Sequence, residues 1–168
     1  RRNLDLTLIV ANNFNYGITG GQHSVTTPGG GLTATTPDGN IEGAMDLCAT
    51  VMGAGAGWVY RGLGYDSDLP DRIAQAIRHP GFAILDVWEL CTAYYLPRND
   101  LNKKRLYDMA ETSGMAVGLL ADKARPEFGA EYRRSAEAMP KRDRRISIEP
   151  EFEHGLARQT GIVVAGGA

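Results

Sequence analysis

The residues best suited to chemistry are gathered in one stretch near the start of the chain. Asn12 and Asn13 are followed by Asn15-Tyr16-Gly17, Thr19-Gly20-Gly21-Gln22, Ser24 and Thr26-Thr27-Pro28. Amide and hydroxyl oxygens alternate there with glycines. Glycine lets a backbone approach a ligand closely, and successive backbone N–H groups can converge on an anion. Each part also has an ordinary structural use. Asn-Asn after a strand is usually just a turn and only in a minority of cases a metal-binding pair, because Asn tolerates left-handed geometry and bonds its own backbone. Gly20-Gly21 alone is likewise more often a plain loop than a phosphate cradle. What decides the chemistry is where the stretch sits, and residues 6–11, Leu-Thr-Leu-Ile-Val-Ala, lead straight into it. That short apolar run, rich in β-branched side chains, is expected to be a strand buried on both faces. A buried strand ending in oxygen donors and glycines matches the ligand crevice at the carboxyl ends of an open α/β sheet.

The following elements must form the rest of that sheet. Gly29-Gly30-Gly31 reads as a flexible connector and residues 35–40 as a second turn-rich segment. A helix over residues 41–52 is expected, capped by Asn40, with Ile41, Met45, Cys48 and Met52 on its core face. Trp58-Val59-Tyr60-Arg61 reads as a short strand. Ser67 or Asp68 opens a helix over 69–78 with Pro70 in its permitted first turn and Leu69, Ile73 and Ile77 as its apolar stripe. His79-Pro80-Gly81 ends it, His79 suiting the helix dipole. Residues 82–91 are the second strong buried strand, and Asp86 and Glu89 are read as local ion-pair or capping groups. Asn99-Asp100 is expected to cap a helix over 101–112 whose Lys103, Lys104 and Arg105 face solvent, and residues 114–120 form a last strand or extended arm. Alternating helix and strand predicts an α/β fold with a parallel sheet, helices on both faces, and central strands at 6–11 and 82–90.

Composition narrows the class. The 168 residues are 43% hydrophobic and 23% charged, ordinary values for one domain with a real core. A formal net charge of −2 gives no general attraction to nucleic acid or to anionic membrane. The basic cluster Lys141-Arg142-Asp143-Arg144-Arg145 has no interleaved aromatics for base stacking. No apolar run has the length of a transmembrane helix, and no signal peptide is visible. Cys48 and Cys91 show no CxxC spacing and are expected to be reduced, buried thiols of a cytoplasmic protein.

The string Asn-Asn-x-x-Tyr-Gly-x-Thr-Gly-Gly-Gln, followed by Ser-x-Thr-Thr-Pro, resembles the cofactor loop of the 2-oxoacid:ferredoxin oxidoreductases, specifically their thiamine-diphosphate-binding β subunit. Asn15 stands where that family usually has an aliphatic residue, and Ile18 where Met or Leu is common. The resemblance covers roughly residues 1–125 and implies the downstream part of a thiamine-diphosphate-binding fold. The family's upstream Gly-Asp-Gly, whose Asp binds Mg²⁺, has no counterpart here. The chain opens on Arg1 rather than Met and is expected to be a piece of a longer protein. Residues 126–157 read as a linker or docking arm. Residues 158–168, a β-branched run into Ala-Gly-Gly, read as the possible start of a γ-like domain.

The resemblance also implies roles. The Asn13 side-chain oxygen and the Asn15 main-chain carbonyl would bind Mg²⁺, which takes about six hard oxygens and commonly shares phosphates. The spacing to Tyr16-Gly17 matches Asn13, not Asn12, to the family's metal-binding amide. Gly17, Ile18 and Thr19 would lie along the cofactor, with Ile18 wedged beneath its bent form and no other catalytic residue in this chain. The implied reaction is oxidative decarboxylation of a 2-oxoacid to an acyl-coenzyme A, with electrons passed to ferredoxin. Iron–sulfur clusters would belong to partners: an α subunit carrying the pyrimidine domain, a γ subunit or domain, and a ferredoxin-like subunit. A carboxylate from another domain would activate the cofactor, so residues 1–168 alone are expected to be inactive. Two further readings stand beside this one: a non-catalytic scaffold fragment of such a complex, and a non-redox thiamine-diphosphate decarboxylase.

Overall fold

The computed structural model describes residues 2–139. In chain order the elements are β1 (Leu6–Asn12), β2 (Asn15–Tyr16), β3 (Gln22–His23), α1 (Leu47–Gly53), β4 (Trp58–Leu63), α2 (Leu69–Arg78), β5 (Phe82–Trp88), α3 (Tyr95–Asn99), α4 (Lys103–Thr112), β6 (Gly118–Asp122) and α5 (Phe128–Ala138). Four strands form one sheet in the order β1-β5-β4-β6, while β2 and β3 make a small antiparallel pair of their own. β1, β5 and β4 are parallel, and β6 closes the sheet antiparallel to β4. The parallel α/β sheet read from the sequence is therefore a mixed, mostly parallel one. Residues up to Ser135 form one compact unit; the second unit, from Ala136, is described only as far as Met139.

Strand alternation sends side chains to two separate cores. Trp58 and Tyr60 of β4 and Ala83, Leu85 and Val87 of β5 pack beneath Ala76, Leu69 and Ile73 of α2. Val59 and Ile84, on the other face, pack against Cys48, Val51 and Met52 of α1. Helices thus cover both faces, as expected. Val59, Ile84 and Leu85 are completely buried, and each such side chain contributes about 1.5–3 kcal/mol over leaving it exposed. The Cys48 thiol is also fully enclosed, and burial pushes its pKa up to about 12. A third cluster, Phe14, Trp88, Tyr95, Leu106 and Ala110, closes the carboxyl end of the sheet.

Several sequence expectations are corrected. β1 is an edge strand among the described residues, and Leu6, Leu8 and Ile9 are roughly half exposed. Its sequence is that of a doubly buried strand, but only β5 pairs with it, and α2 makes its few helix contacts. The central strands are β5 and β4. The helix expected over 41–52 begins only at Leu47, because Asn40 is used elsewhere. Its buried amide donates to the carbonyls of Thr27 (2.9 Å) and Glu42 (3.0 Å), and Ile41 is left fully exposed. Asp46 caps α1 instead, its side chain accepting from Ala49 N at 2.9 Å. In α2 the buried residue is Ala76, and Ile77 is mostly exposed. The cap of α4 is Asn102, whose side chain accepts from Arg105 N at 3.0 Å; Asp100 instead ends α3 in a left-handed conformation. The last strand starts at Gly118 rather than at residue 114, and both Gly114 and Gly118 have positive φ. Within the segment read as a linker or docking arm, Phe128–Ala138 forms α5, which buries none of its residues. The basic cluster at 141–145 and the strand read within 158–168 lie outside the described residues.

One polar network ties this framework together. Arg61 on β4 and Asp86 on β5 are register partners, each 1% exposed, with Arg61 Nε donating to Asp86 Oδ2 at 3.0 Å. The guanidinium also donates to Asp46 at the α1 cap and to the Ala116 carbonyl. Burial works against the charge on Arg61, but Asp46 and Asp86 outweigh it, and its pKa rises. Burial likewise raises Asp46. The Arg61 guanidinium and the Ala49 N–H more than reverse this and hold the carboxyl below the usual carboxylate range. A depressed folded-state pKa contributes stability above the unfolded value, near 4, that is lost as pH falls through the folded one. Asp46→Asn should therefore lower the urea midpoint at neutral pH. The gap from wild type should narrow below about pH 4, and an equal gap at both pH values would contradict the assignment.

Candidate functional site

β1 and β5 stop together, with Asn12 paired to Trp88, and their outgoing chains diverge around a cleft of about 720 Å³. Asn13, Asn15 and residues 17–19 wall one side, and residues 90–94 the other. This is the crevice beyond the carboxyl ends of parallel strands where α/β proteins bind ligands. All five site residues expected from the sequence, Asn13, Asn15, Gly17, Ile18 and Thr19, line it.

The two neighbouring asparagines have opposite surroundings. Asn12 is buried, and its amide is used within the protein. Nδ2 donates to Asp86 Oδ1 at 2.9 Å, while Oδ1 accepts from Thr26 Oγ1 at 2.8 Å and from Phe14 N at 3.4 Å. Asn15 is equally buried at 7% exposure, yet neither Oδ1 nor Nδ2 has a hydrogen-bond partner among the described residues. A buried amide left unpaired costs about 1–3 kcal/mol, a cost that the fold carries at Asn15. Asn13 is half-buried at the same wall.

Phe14 separates them in a left-handed conformation, φ 64°. Its ring lies in the core, 5.4 Å edge-on from Trp88 and 5.8 Å from Tyr95. Beyond it the chain turns tightly: Gly20 N donates to Gly17 O and Gly21 N to Tyr16 O. Thr19 Oγ1 donates to Gln22 Oε1 at 2.6 Å, and Gln22 Nε2 donates to Thr19 O at 2.7 Å. Ile18 projects from this turn wholly into solvent.

Two glycines do different work. Gly21 has φ +83°, and a β-carbon there would lie 2.6 Å from Tyr94 Cβ. A β-carbon on Gly17 would lie 3.4 Å from Cys91 Sγ and 3.9 Å from both the Asn13 and Asn15 amides. Gly17 thus leaves open the space those three side chains share. Burial pushes the Cys91 thiol up, but the N–H groups of Tyr95, Tyr94 and Ala93 work against it, and the pKa is lowered. Cys91 is buried, as the sequence suggests, but at the cleft wall.

Sequence reasoning missed the supports of this loop. Thr27 Oγ1 donates to Phe14 O at 2.6 Å, Asn40 braces Thr27, and Arg61 anchors Asp86. The available signal was an Arg and an Asp of opposite charge, each in an otherwise apolar strand. On the far side of Asn12, these residues border a second, smaller cavity of about 350 Å³ with Met45, Met109 and Met115. His79 does not join the site. It is buried behind α2, with Nδ1 3.8 Å from Asp122 Oδ1. No helix among the described residues is long and apolar enough to cross a membrane, and none of them form a group of three or more His, Cys, Asp or Glu suited to a metal.

An open, mostly parallel sheet with a glycine- and amide-lined crevice at its carboxyl edge defines a cofactor-binding α/β protein. Residues 1–87 match the model of the thiamine pyrophosphate enzyme C-terminal TPP binding domain, and the chain belongs to that family. It is 36% identical over 158 residues to the 2-oxoglutarate synthase subunit KorB of Methanocaldococcus jannaschii, covering 83% of this chain and 58% of that protein. It is 41% identical over 109 residues to the 2-oxoacid:ferredoxin oxidoreductase subunit beta of Saccharolobus solfataricus, covering 64% of this chain and 34% of that one. Its fold is similar to a 2-oxoglutarate:ferredoxin oxidoreductase from Magnetococcus marinus solved with 2-oxoglutarate, coenzyme A and succinyl-CoA bound. That likeness has a TM-score of 0.67 and 25% identity over 85% of this chain and 57% of that one. The chain thus spans well under two thirds of each of these proteins.

The two glycine positions make a paired prediction. Gly21→Ala should destabilise the protein by more than about 1 kcal/mol, because it meets both a positive φ and a clash. Gly17→Ala should leave the melting temperature nearly unchanged while abolishing thiamine diphosphate binding by calorimetry. Unimpaired binding in the Gly17 variant would show that this space is not the cofactor's.

Proposed function

We propose that this chain is the thiamine-diphosphate-binding part of a 2-oxoacid:ferredoxin oxidoreductase β subunit, acting in the cytoplasm with partner subunits on a 2-oxoacid, coenzyme A and ferredoxin. On this reading residues 1–125 serve as the downstream part of the cofactor domain, 126–157 as a linker or docking arm, and 158–168 as the start of a γ-like domain. The observation that carries the reading is the buried, unpartnered Asn15 amide beside Asn13, at a cradle kept open by Gly17. Those residues fit a diphosphate bound with a hard cation. Asn13 Oδ1 and the Asn15 carbonyl would hold Mg²⁺, which prefers such oxygens. The half-exposed, apolar β1 supports the domain assignment, since a strand of that composition is normally covered on both faces.

Thiamine diphosphate, when bound, supplies an electron sink for decarboxylating a 2-oxoacid. This chain's own part is placement. Gly17 admits the diphosphate, Ile18 supports the cofactor from the rim, and the Thr19–Gln22 pair stiffens the turn between them. Substrate choice depends on groups beyond this cleft, since no charged side chain lines it.

Asn13→Ala should weaken Mg²⁺-dependent cofactor binding more than Asn12→Ala, without the loss of melting temperature that Asn12→Ala brings. Equal losses of affinity would contradict the metal assignment. Activity is tested by 2-oxoacid- and coenzyme-A-dependent dye reduction. The 168-residue chain alone should be inactive, and the same chain completed with its upstream segment and partner subunits should be active. Activity of the chain alone would refute the division of labour. An inactive assembly that still binds the cofactor would favour a scaffold role.

A further inference from the structure

We propose that Asp86 and Thr27 are positioning residues for the Asn13–Asn15 wall, acting through Asn12 and the left-handed Phe14; this rests on the proposed cofactor reading. A bulky residue at positive φ is a genuine outlier and persists only where its surroundings over-determine it. Phe14, at φ 64°, is held from every side. Its N–H donates to Asn12 Oδ1 at 3.4 Å, and its carbonyl accepts from Thr27 Oγ1 at 2.6 Å. Its ring is 2% exposed between Trp88 and Tyr95. Asn12 cannot rotate away, because its Nδ2 donates to Asp86 Oδ1 at 2.9 Å, and Asp86 is fixed by Arg61 and Trp88. The chain of constraint therefore runs from a buried ion pair in the sheet, through one amide, to one backbone dihedral. That dihedral joins Asn13 to Asn15. The strain sits between the two groups proposed to hold the metal, where backbone strain is commonly retained for function. Supporting residues behind metal ligands typically contribute 10–100-fold in affinity.

The test uses the full chain assembled with its partners, and Mn²⁺ as the probe, titrated by electron paramagnetic resonance at saturating thiamine diphosphate. Asn12→Ala should weaken Mn²⁺ binding about tenfold or more. Thr27→Val keeps volume, removes no hydrogen bond of Asn12, Asn13 or Asn15 though it also releases Ser24 N, and should weaken it in the same direction. The double variant should lose no more than the worse single one, because both act through Phe14. A second readout needs no ligand: the strong intraresidue HN–Hα Overhauser contact that marks positive φ should be present at Phe14 and weaken in both variants. Full additivity of the two losses, or unchanged Mn²⁺ affinity alongside lowered stability, would overturn the relay and leave Asp86 and Thr27 as fold residues only. If wild type bound no thiamine diphosphate while the Phe14 contact still responded to both substitutions, the cofactor reading would fail and the conformational relay would stand. An unresponsive contact would sink the relay itself.

Discussion

Everything at the carboxyl end of the sheet depends on how one buried carboxylate is satisfied. Asp86 is 1% exposed and accepts from Asn12, Arg61 and Trp88. Isolated, such a charge would cost far more than a domain's whole margin of stability; paired and hydrogen-bonded, it becomes a fixed point. The three groups it joins lie on β1, β4 and β5, and Arg61 extends the link to Asp46 at the start of α1. The net energy of a buried ion pair is often near zero, while breaking one typically costs about 3–5 kcal/mol. Its value here is therefore geometric. It sets the level at which three parallel strands end and the loops begin.

From that level upward the loop is built largely from hydroxyls and amides. Thr26 and Thr27 bond Asn12 and Phe14, Thr33 bonds Thr36, which in turn bonds Gly31, and Asn40 reaches back to Thr27. A loop with almost no regular structure is thus pinned along its length by short side-chain bonds, satisfying backbone groups that a ladder would otherwise serve. The same pinning presents Ile18 and Ile41 fully to solvent on a fixed backbone. The contrast within Asn12, Asn13 and Asn15 follows from it. The internal bonds are complete at Asn12, and the chain turns before Asn15 can join them.

Much of this was legible in the sequence, and the failures share one cause. The apolar runs at 6–11 and 82–90 are strands, and Leu69–Arg78 is a helix with its proline in the first turn. The amide–glycine string does line the crevice. Composition cannot show neighbours, however. β1 reads as doubly buried because its residues are those of a buried strand, yet its outer edge meets nothing among the described residues. Asn40 and Asn99 both read as helix caps, but each spends its amide on distant carbonyls, Asn40 on Thr27 and Asn99 on Leu32. Short polar side chains serve caps and tertiary bonds equally well, and only the fold decides between them. Arg61 drew no reading beyond its place in a short strand, because its partner lies 25 residues away.

The neutrality of the cleft constrains how the proposed site would work. Its lining residues carry no charged side chain, so this wall offers a cation the neutral dipoles of amides, carbonyls and hydroxyls. Mg²⁺ gives up its water reluctantly and is usually held through carboxylates together with substrate phosphates. On the proposed reading, the diphosphate must therefore bring most of the negative charge, and metal and cofactor bind as one unit. Such a site tolerates little angular error, because a dipole's hold on an ion weakens quickly as it turns away. A wall of neutral ligands thus needs a more rigid support than a wall of carboxylates would. The buried ion pair, the hydroxyl ladder and the strained Phe14 behind it supply that rigidity from the protein side.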